Sequence, residues 1–319
     1  MKQIDVNFFP GWVRKSLTFT IDDGNIPMDR KFMEYVKPAG IRGTFNLKTP
    51  LTAMPLEDYV TFYKGYEIAN HCKYHAYPVT DKTRREIKNE LFDPETADKA
   101  YAYLTDEPDL YRIHTYAWTY LAGTPEKYLD CVDQCQKQLE EMFGKGKIRG
   151  FVWPCGQQNN ELVFDMLKAY GFQSIRKTGT TTDSTGFALP ADRTVWSYNA
   201  NYTNLCPVAK LYDEYPDDGE LKFFALGVHS VDFEKNNKWD ELKTFCDLYG
   251  NRPEDYWYAS VGEIFDYEDA VKAIEITEEK IVNPSPIDLF IKIDGKRYTV
   301  NGDDLITAVK NCMETNSLV

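Results

Sequence analysis

Histidine is scarce in this 319-residue chain, at four residues, and its seven cysteines are scattered without a C-x-x-C pair. That pattern excludes a zinc knuckle, a dithiol redox motif and a disulfide-stapled small fold, and it predicts free thiols in a reducing compartment. No apolar run approaches the ~20 residues needed to span a bilayer. Between Met1 and Trp12, Asp5 and Asn7 stand where a signal peptide would place its apolar stretch. The expectation is a soluble, cytoplasmic protein with no membrane partner. Basic runs are missing as well: 37 Lys and Arg stand against 50 Asp and Glu, a net charge of −13. This argues against a protein that tracks nucleic-acid phosphates. There is no low-complexity tract and no repeat of fixed period, which sets aside solenoids and disordered linkers.

What remains is a chain with 43% hydrophobic residues, long enough to bury a full-sized core. Leu17, Phe19 and Ile21 alternate with Ser16, Thr18 and Thr20 as in a strand, which Asp22-Asp23-Gly24 ends abruptly. A helical spacing through Phe32, Met33, Tyr35 and Val36 follows, then a strand over 41–47, a helix over 56–64 and a strand over 66–70. Thr124-Pro125 is an N-cap followed by proline in the first turn, opening a long helix to Phe143 whose Cys131 and Cys135 share a face as core residues. Strands are predicted over 148–153, 172–177, 194–198 and 221–228, with helices over 161–170 and 238–248. Repeated strand-helix units indicate a parallel α/β sheet or barrel, whose chemistry sits at the C-terminal strand ends. Residues 85–147 read as a helical insertion carrying His114. From about residue 276 the pattern becomes alternating, with Asp294-Gly295 as a hairpin turn. The expected organisation is a barrel over 1–275 and a small β-rich extension over 276–319.

Asp22 and Asp23 are consecutive carboxylates at a strand end. Strand geometry sends them to opposite faces unless Gly24 lets the backbone turn; an exposed turn is the alternative reading. If both line one pocket, a bound cation neutralising one leaves the other free as a base. His71 and His75 form an H-x3-H pair that faces one point if it lies on a helical turn, and two neutral imidazoles suit Zn²⁺. An Asp-His-His set with open positions is what a catalytic zinc requires.

Three stretches then resemble one family, the polysaccharide deacetylases of carbohydrate esterase family 4, which share the NodB-homology domain. Thr20-Ile21-Asp22-Asp23-Gly24 is similar to the family's T-F-D-D-G signature. Gly65 to His75 (GYEIANHCKYH) is similar to its G-H-E-[IL]-[GA]-N-H-[ST]-x-x-H signature, and Ala39 to Phe45 to the strand between them. The resemblance covers roughly residues 10 to 270. It implies a distorted (β/α) barrel, with Asp22 as general base and Asp23, His71 and His75 holding a divalent metal, most often zinc. It further implies that His229, after a late strand, is the acid that protonates the leaving group, with Asp232 orienting its ring. Phe151 to Gly156 (FVWPCG) looks like the family's F-R-P-P-Y-G loop, so the Cys155 backbone N–H after Pro154 is the expected oxyanion donor. Trp153 is either core or substrate wall.

The chain departs from the family at Val152, which replaces the arginine that pairs with the base, and its aspartate-rich fourth motif is not found. Alternation in Phe172 to Arg176 turns Ser174 and Arg176 to one face, making Arg176 the candidate substitute and Arg149 a weaker one. The expected activity is metal-dependent removal of an N- or O-acetyl group from a carbohydrate. Two rival readings are a carbohydrate-binding protein that kept the barrel without catalysis and a hydrolase of a non-sugar amide.

Overall fold

In the computed structural model, residues 3–78, 110–114, 117–156, 161–180, 187–277, 280–302 and 305–307 are described. The first part of the chain runs β1 (Ile4–Phe8), β2 (Lys15–Asp22), α1 (Ile26–Val36), β3 (Thr44–Thr49), α2 (Leu56–Phe62), β4 (Glu67–Lys73) and β5 (Tyr77–Pro78). After residue 109 come β6 (Leu110–His114), β7 (Ala117–Ala122), α3 (Pro125–Phe143), β8 (Gly150–Val152), α4 (Glu161–Tyr170), β9 (Ser174–Thr180) and β10 (Trp196–Tyr198). Then follow α5 (Leu205–Asp213), β11 (Lys222–His229), α6 (Ser230–Lys235), α7 (Trp239–Tyr249), β12 (Tyr256–Tyr258) and α8 (Val261–Ala273). Five short strands close the described chain: β13 (Glu275–Ile276), β14 (Lys280–Val282), β15 (Leu289–Ile293), β16 (Lys296–Val300) and β17 (Leu305–Thr307).

The central sheet has the order β10-β9-β8-β4-β3-β2-β11, and every pairing in it is parallel. A parallel bridge between Ala200 and Leu226 joins its two edges. The sheet thus closes into an α/β barrel, distorted because β12 is wedged against Lys15–Leu17 of β2 while β3 pairs only with Thr20–Asp22. Outward residues Leu17, Phe19 and Ile21 are buried in the main core beneath the helices, where Phe19 meets Phe32 and Phe45 at ring distances of 5.1 and 5.3 Å. The same alternation that buries this face leaves Thr18, Thr20 and Asp22 on the other.

The long helix opens where the capping signal places it: the Thr124 hydroxyl accepts from Lys127 N at 3.2 Å, with Pro125 in the first turn. Cys131 and Cys135 face the core, and the six described cysteines are free thiols; Cys312 lies outside the described residues. The insertion differs from the sequence reading. Residues 79–109 lie outside the description, and the strands Leu110–His114 and Ala117–Ala122 pair antiparallel where a helix was predicted. Their run of Tyr, Ile, Trp and Thr favours a pleated strand over a helix. His114 is the last residue of the first of these strands, and its side chain is outside the description.

Toward the C-terminus, β15 and β16 pair around Asp294-Gly295, both in the left-handed region (φ 48° and 79°). β1 adds to β15 antiparallel, and Ile4 and Val6 of β1, with Phe9 just after it, join a second core with α8, β15 and β16.

Loops above the barrel are tied together by one buried carboxyl. Asp29 on α1 is fully buried and accepts from Tyr63 OH (2.7 Å) and Ser230 Oγ (2.5 Å), linking α1 to the end of α2 and the start of α6. Burial raises its pKa to about 7 against the opposing pull of these two hydroxyls. In the unfolded chain it titrates at about 4. Folded Asp29 therefore holds a proton that the unfolded state has released between these values, and its contribution to stability falls as pH rises from about 4 to about 7. Replacing Asp29 with Asn is expected to flatten that fall, by an amount on the order of 4 kcal/mol between the two limits. Chemical denaturation of both proteins across this range tests it: parallel stability–pH curves would show that Asp29 is not the group responsible.

Candidate functional site

Every candidate residue on the sheet sits where a strand delivers it to one end of the barrel. Asp22 is the last residue of β2 and is paired in register with Asn46 of β3 and His229 of β11. Asp23 escapes the opposite face because it takes a left-handed conformation itself (φ 80°), followed by Gly24 (φ 67°). A side chain at Gly24 would also press on Leu47, whose Cδ2 lies 2.9 Å from the position of a Cβ.

His71 lies on β4, and His75 follows that strand, so the pair is not on a helical turn as its spacing suggested. Instead Cys72, Tyr74 and His75 all adopt left-handed backbone (φ 64°, 56° and 51°), and the chain doubles back to bring the second imidazole beside the first. The rings are 5.0 Å apart.

Asp23 Oδ1 stands 3.5 Å from His71 Nε2 and 3.7 Å from His75 Nε2. Donors at the corners of a tetrahedral site with bonds of about 2.0–2.2 Å are separated by roughly 3.3–3.6 Å. The three residues form a group able to hold a divalent metal ion. Their outer contacts agree with that role. His71 Nδ1 lies 2.9 Å from the Val152 carbonyl and donates to it, which turns the Nε2 lone pair towards Asp23. His75 Nδ1 lies 3.8 Å from Cys155 Sγ. Asp23 Oδ1 and His71 Nε2 are buried, and neither has a partner in hydrogen-bond geometry among the described residues. Burial lowers the His75 pKa to about 3, outweighing the Asp23 field, so its ring is neutral and able to coordinate at pH 7. Asp23 is ionised: burial opposes this, but His71, His75 and Lys48 hold its pKa well below the ordinary value.

Beside this group are two pairs of charges. Asp22 forms a buried ion pair with Arg176 Nη2, and its Oδ1 also accepts from Asn46 Nδ2 at 2.7 Å. Burial pushes the Asp22 carboxyl up, but Arg176, His71 and His229 outweigh it and hold the pKa below the ordinary value. Arg176 thus reaches Asp22, whereas Arg149 is held by Asp266 through two bonds of 2.7 Å. The guanidinium lies under the Tyr198 ring, 5.3 Å from its centroid. That ring occupies space that only Gly227 leaves open, since a Cβ there would be 1.9 Å from Tyr198 Cδ1.

The second pair is His229 and Asp232. His229 Nδ1 donates to Asp232 Oδ2 at 2.9 Å, and Nε2 points to the site, 3.9 Å from Asp23 Oδ2. Burial lowers the His229 pKa, yet Asp232, Asp23 and Asp22 together raise it to about 9, so the ring is protonated at pH 7.

The 152–156 loop reaches the site through Val152 and Cys155, and Cys155 is itself left-handed (φ 51°) within the turn Pro154–Gly156. Of the two readings of Trp153, its packing supports core rather than substrate wall: it is 1% exposed, stacked on Tyr128 and edge-on to Phe151. Sequence reasoning missed Asn46, Lys48 and Tyr198. Alternation along β3 places Thr44, Asn46 and Lys48 on one face and was the available signal for two of them.

No family model matches the sequence, and neither does any curated protein. Solved structures do match. A Streptococcus mutans CE4 esterase is 16% identical over 77% of this chain and 86% of its own (TM-score 0.42). A polysaccharide deacetylase from Bacillus cereus is 13% identical over 77% and 92% (TM-score 0.39). A family 4 acetyl xylan esterase from Clostridium thermocellum, solved with a cobalt ion, is 13% identical over 79% and 91% (TM-score 0.42). At such identities the likeness is one of fold. The structural neighbours of this chain are polysaccharide deacetylases and esterases of carbohydrate esterase family 4, matched over 77% to 79% of its length.

Proposed function

We propose that this protein is a metal-dependent hydrolase that removes an N- or O-linked acetyl group from a carbohydrate. The observation that carries the reading is the Asp23, His71 and His75 group flanked by an ionised carboxylate on one side and a protonated imidazole on the other. Two imidazoles and one carboxylate suit zinc, which when bound supplies Lewis-acid polarisation of the acetyl carbonyl.

The remaining work falls to the chain. Asp22, kept ionised by Arg176 and oriented by Asn46, takes a proton from the attacking water. The Cys155 backbone N–H is the proposed donor to the developing oxyanion. His229, held by Asp232, gives its Nε2 proton to the departing amine or alcohol, and acetate is the second product. One proton enters at Asp22 and one leaves at His229, so the pair must be reset by proton exchange between turnovers. Two departures favour the rival reading of a barrel without catalysis: Val152 in place of the motif arginine, and the missing fourth motif. Arg176 answers the first by placing a guanidinium on Asp22 from a different strand.

Three measurements test this reading. Chelator-stripped protein reloaded with Zn²⁺ is expected to bind about one ion per chain. His75→Ala should weaken that affinity by more than the roughly 10- to 100-fold that loss of an outer-sphere partner costs; equal binding by the variant would remove His75 from the site. Asp22→Asn should keep its metal while acetate release falls roughly 10²–10⁴-fold, and wild-type turnover in that variant would exclude Asp22 as the base. The acid form of His229 is lost as pH rises through its pKa, so turnover should decline on the alkaline side at or below about 9, a bound cation pulling the value down. Asp232→Asn removes a hydrogen bond and a negative charge that favour the imidazolium, and should shift that limb to lower pH. An unmoved limb would assign it to another group.

A further inference from the structure

One cation at the barrel mouth is not used by the reaction described above. Lys48 is the last residue of β3 on the face that carries Thr44 and Asn46. Thr44, the first residue of β3, donates to Glu67 (2.6 Å), and Asn46 donates to Asp22 at the C-terminal end of β2. Lys48 comes next along that face, at the C-terminal end of the strand. Its side chain is 37% exposed, and Nζ stands 3.2 Å from Asp23 Oδ1.

The charges around the site can be paired off. Asp22 is matched by Arg176 and Asp232 by His229, which leaves Asp23 with Lys48. A divalent cation held by Asp23, His71 and His75 takes over the Asp23 carboxylate. Lys48 is then without a counter-charge among the described residues, beside an ion that adds two further positive charges. A site so loaded favours a ligand that brings a negative charge of its own. An ammonium on a flexible four-carbon stem is a point charge suited to carboxylate or phosphate oxygens, and it gains less from the hydroxyls of a neutral sugar. The chain as a whole carries a net charge of −13, which repels a long polyanion and favours a small sugar with a single anionic group.

We propose that Lys48 selects the substrate: the site takes small acetylated sugars bearing an anionic group, carboxylate or phosphate, that pairs with the Lys48 ammonium once the metal occupies Asp23. This rests on the metal-dependent reading above, and the experiment separates the two. Binding is measured calorimetrically with Asp22 left in place, so that Arg176 stays paired, and with probes that carry no acetyl group, so that turnover does not intrude. The probes are glucose, its 6-phosphate and glucuronic acid, each with metal-free and zinc-loaded protein.

The zinc-loaded protein is expected to bind at least one anionic probe roughly 10- to 100-fold more tightly than the neutral sugar, the range for a hydrogen bond to a charged group. Which of the two anionic probes gains identifies phosphate or carboxylate as the group read. The preference should shrink in the metal-free protein, where Asp23 occupies Lys48. It should vanish in Lys48→Gln and persist in Lys48→Arg, with zinc affinity in Lys48→Gln equal to or tighter than in the parent. Zinc binding with no anionic preference, or a preference that Lys48→Gln leaves intact, overturns the proposal and leaves the hydrolase reading standing. Failure to bind zinc at all overturns both.

Discussion

Two carboxylates side by side at the end of a strand cannot both stay ionised in a buried place without countercharge, and the ion pair between Asp22 and Arg176 is what relieves that constraint. Its partners come from β2 and β9, which are separated in the sheet by β3, β4 and β8, so the pair crosses the barrel interior and exists only because the sheet closes. With 1% and 6% side-chain exposure it is shielded from water, and removal of either partner would leave an uncompensated buried charge, typically a loss of about 3–5 kcal/mol. The guanidinium is in turn seated by Tyr198, and Tyr198 needs the bare backbone of Gly227. A single chain of contacts therefore connects a glycine on β11 to the protonation state of a carboxylate on β2.

The displaced pKa values around this pair are ordered in a useful direction. Countercharge holds Asp22 below the ordinary carboxylate range, whereas neighbouring carboxylates lift His229 to about 9. In the proposed hydrolysis the base must be ionised and the acid protonated, and Asp22 and His229 are in those forms at neutral pH without recourse to a minor population. The two shifts share a cause: the same carboxylates that raise His229 gain stabilisation from it. Asp29, with no cation in contact, is pushed the other way by burial, and the contrast shows that placement of positive charge decides the sign.

Much of the barrel is legible in the sequence because its strands alternate and its helices carry capping residues. Thr124-Pro125 opens a helix and Asp294-Gly295 a hairpin turn, and both do so through local chemistry that needs no tertiary information. Arg176 is reachable by alternation from Ile175, since period-two geometry survives closure of the sheet. His75 is different. Its spacing from His71 fits a helical turn, and the actual route through left-handed Cys72, Tyr74 and His75 has no marker in residues that lack glycine. The antiparallel pair β6 and β7 was hidden by the helical pattern that follows it. Trp153 illustrates a further limit: a tryptophan beside a candidate oxyanion loop reads equally well as wall or core, and only packing against Tyr128 and Phe151 decides.

Five of the ten non-glycine residues in left-handed backbone among the described residues gather at this site: Asp23, Cys72, Tyr74, His75 and Cys155. Each such conformation costs roughly 1–3 kcal/mol and persists only where the surroundings over-determine it. Here the surroundings are the parallel strands and the cores on their outer faces, which fix the strand ends from which these turns spring. The result is a set of donor atoms standing at nearly tetrahedral separations with His75 neutral and Asp23 ionised. Strain spent in folding is strain that need not be overcome on binding, so a cation meets a site whose geometry and protonation are already in place. On the proposed reading, such a cation takes the place of Lys48 as the partner of Asp23 Oδ1 and leaves the ammonium to a substrate anion.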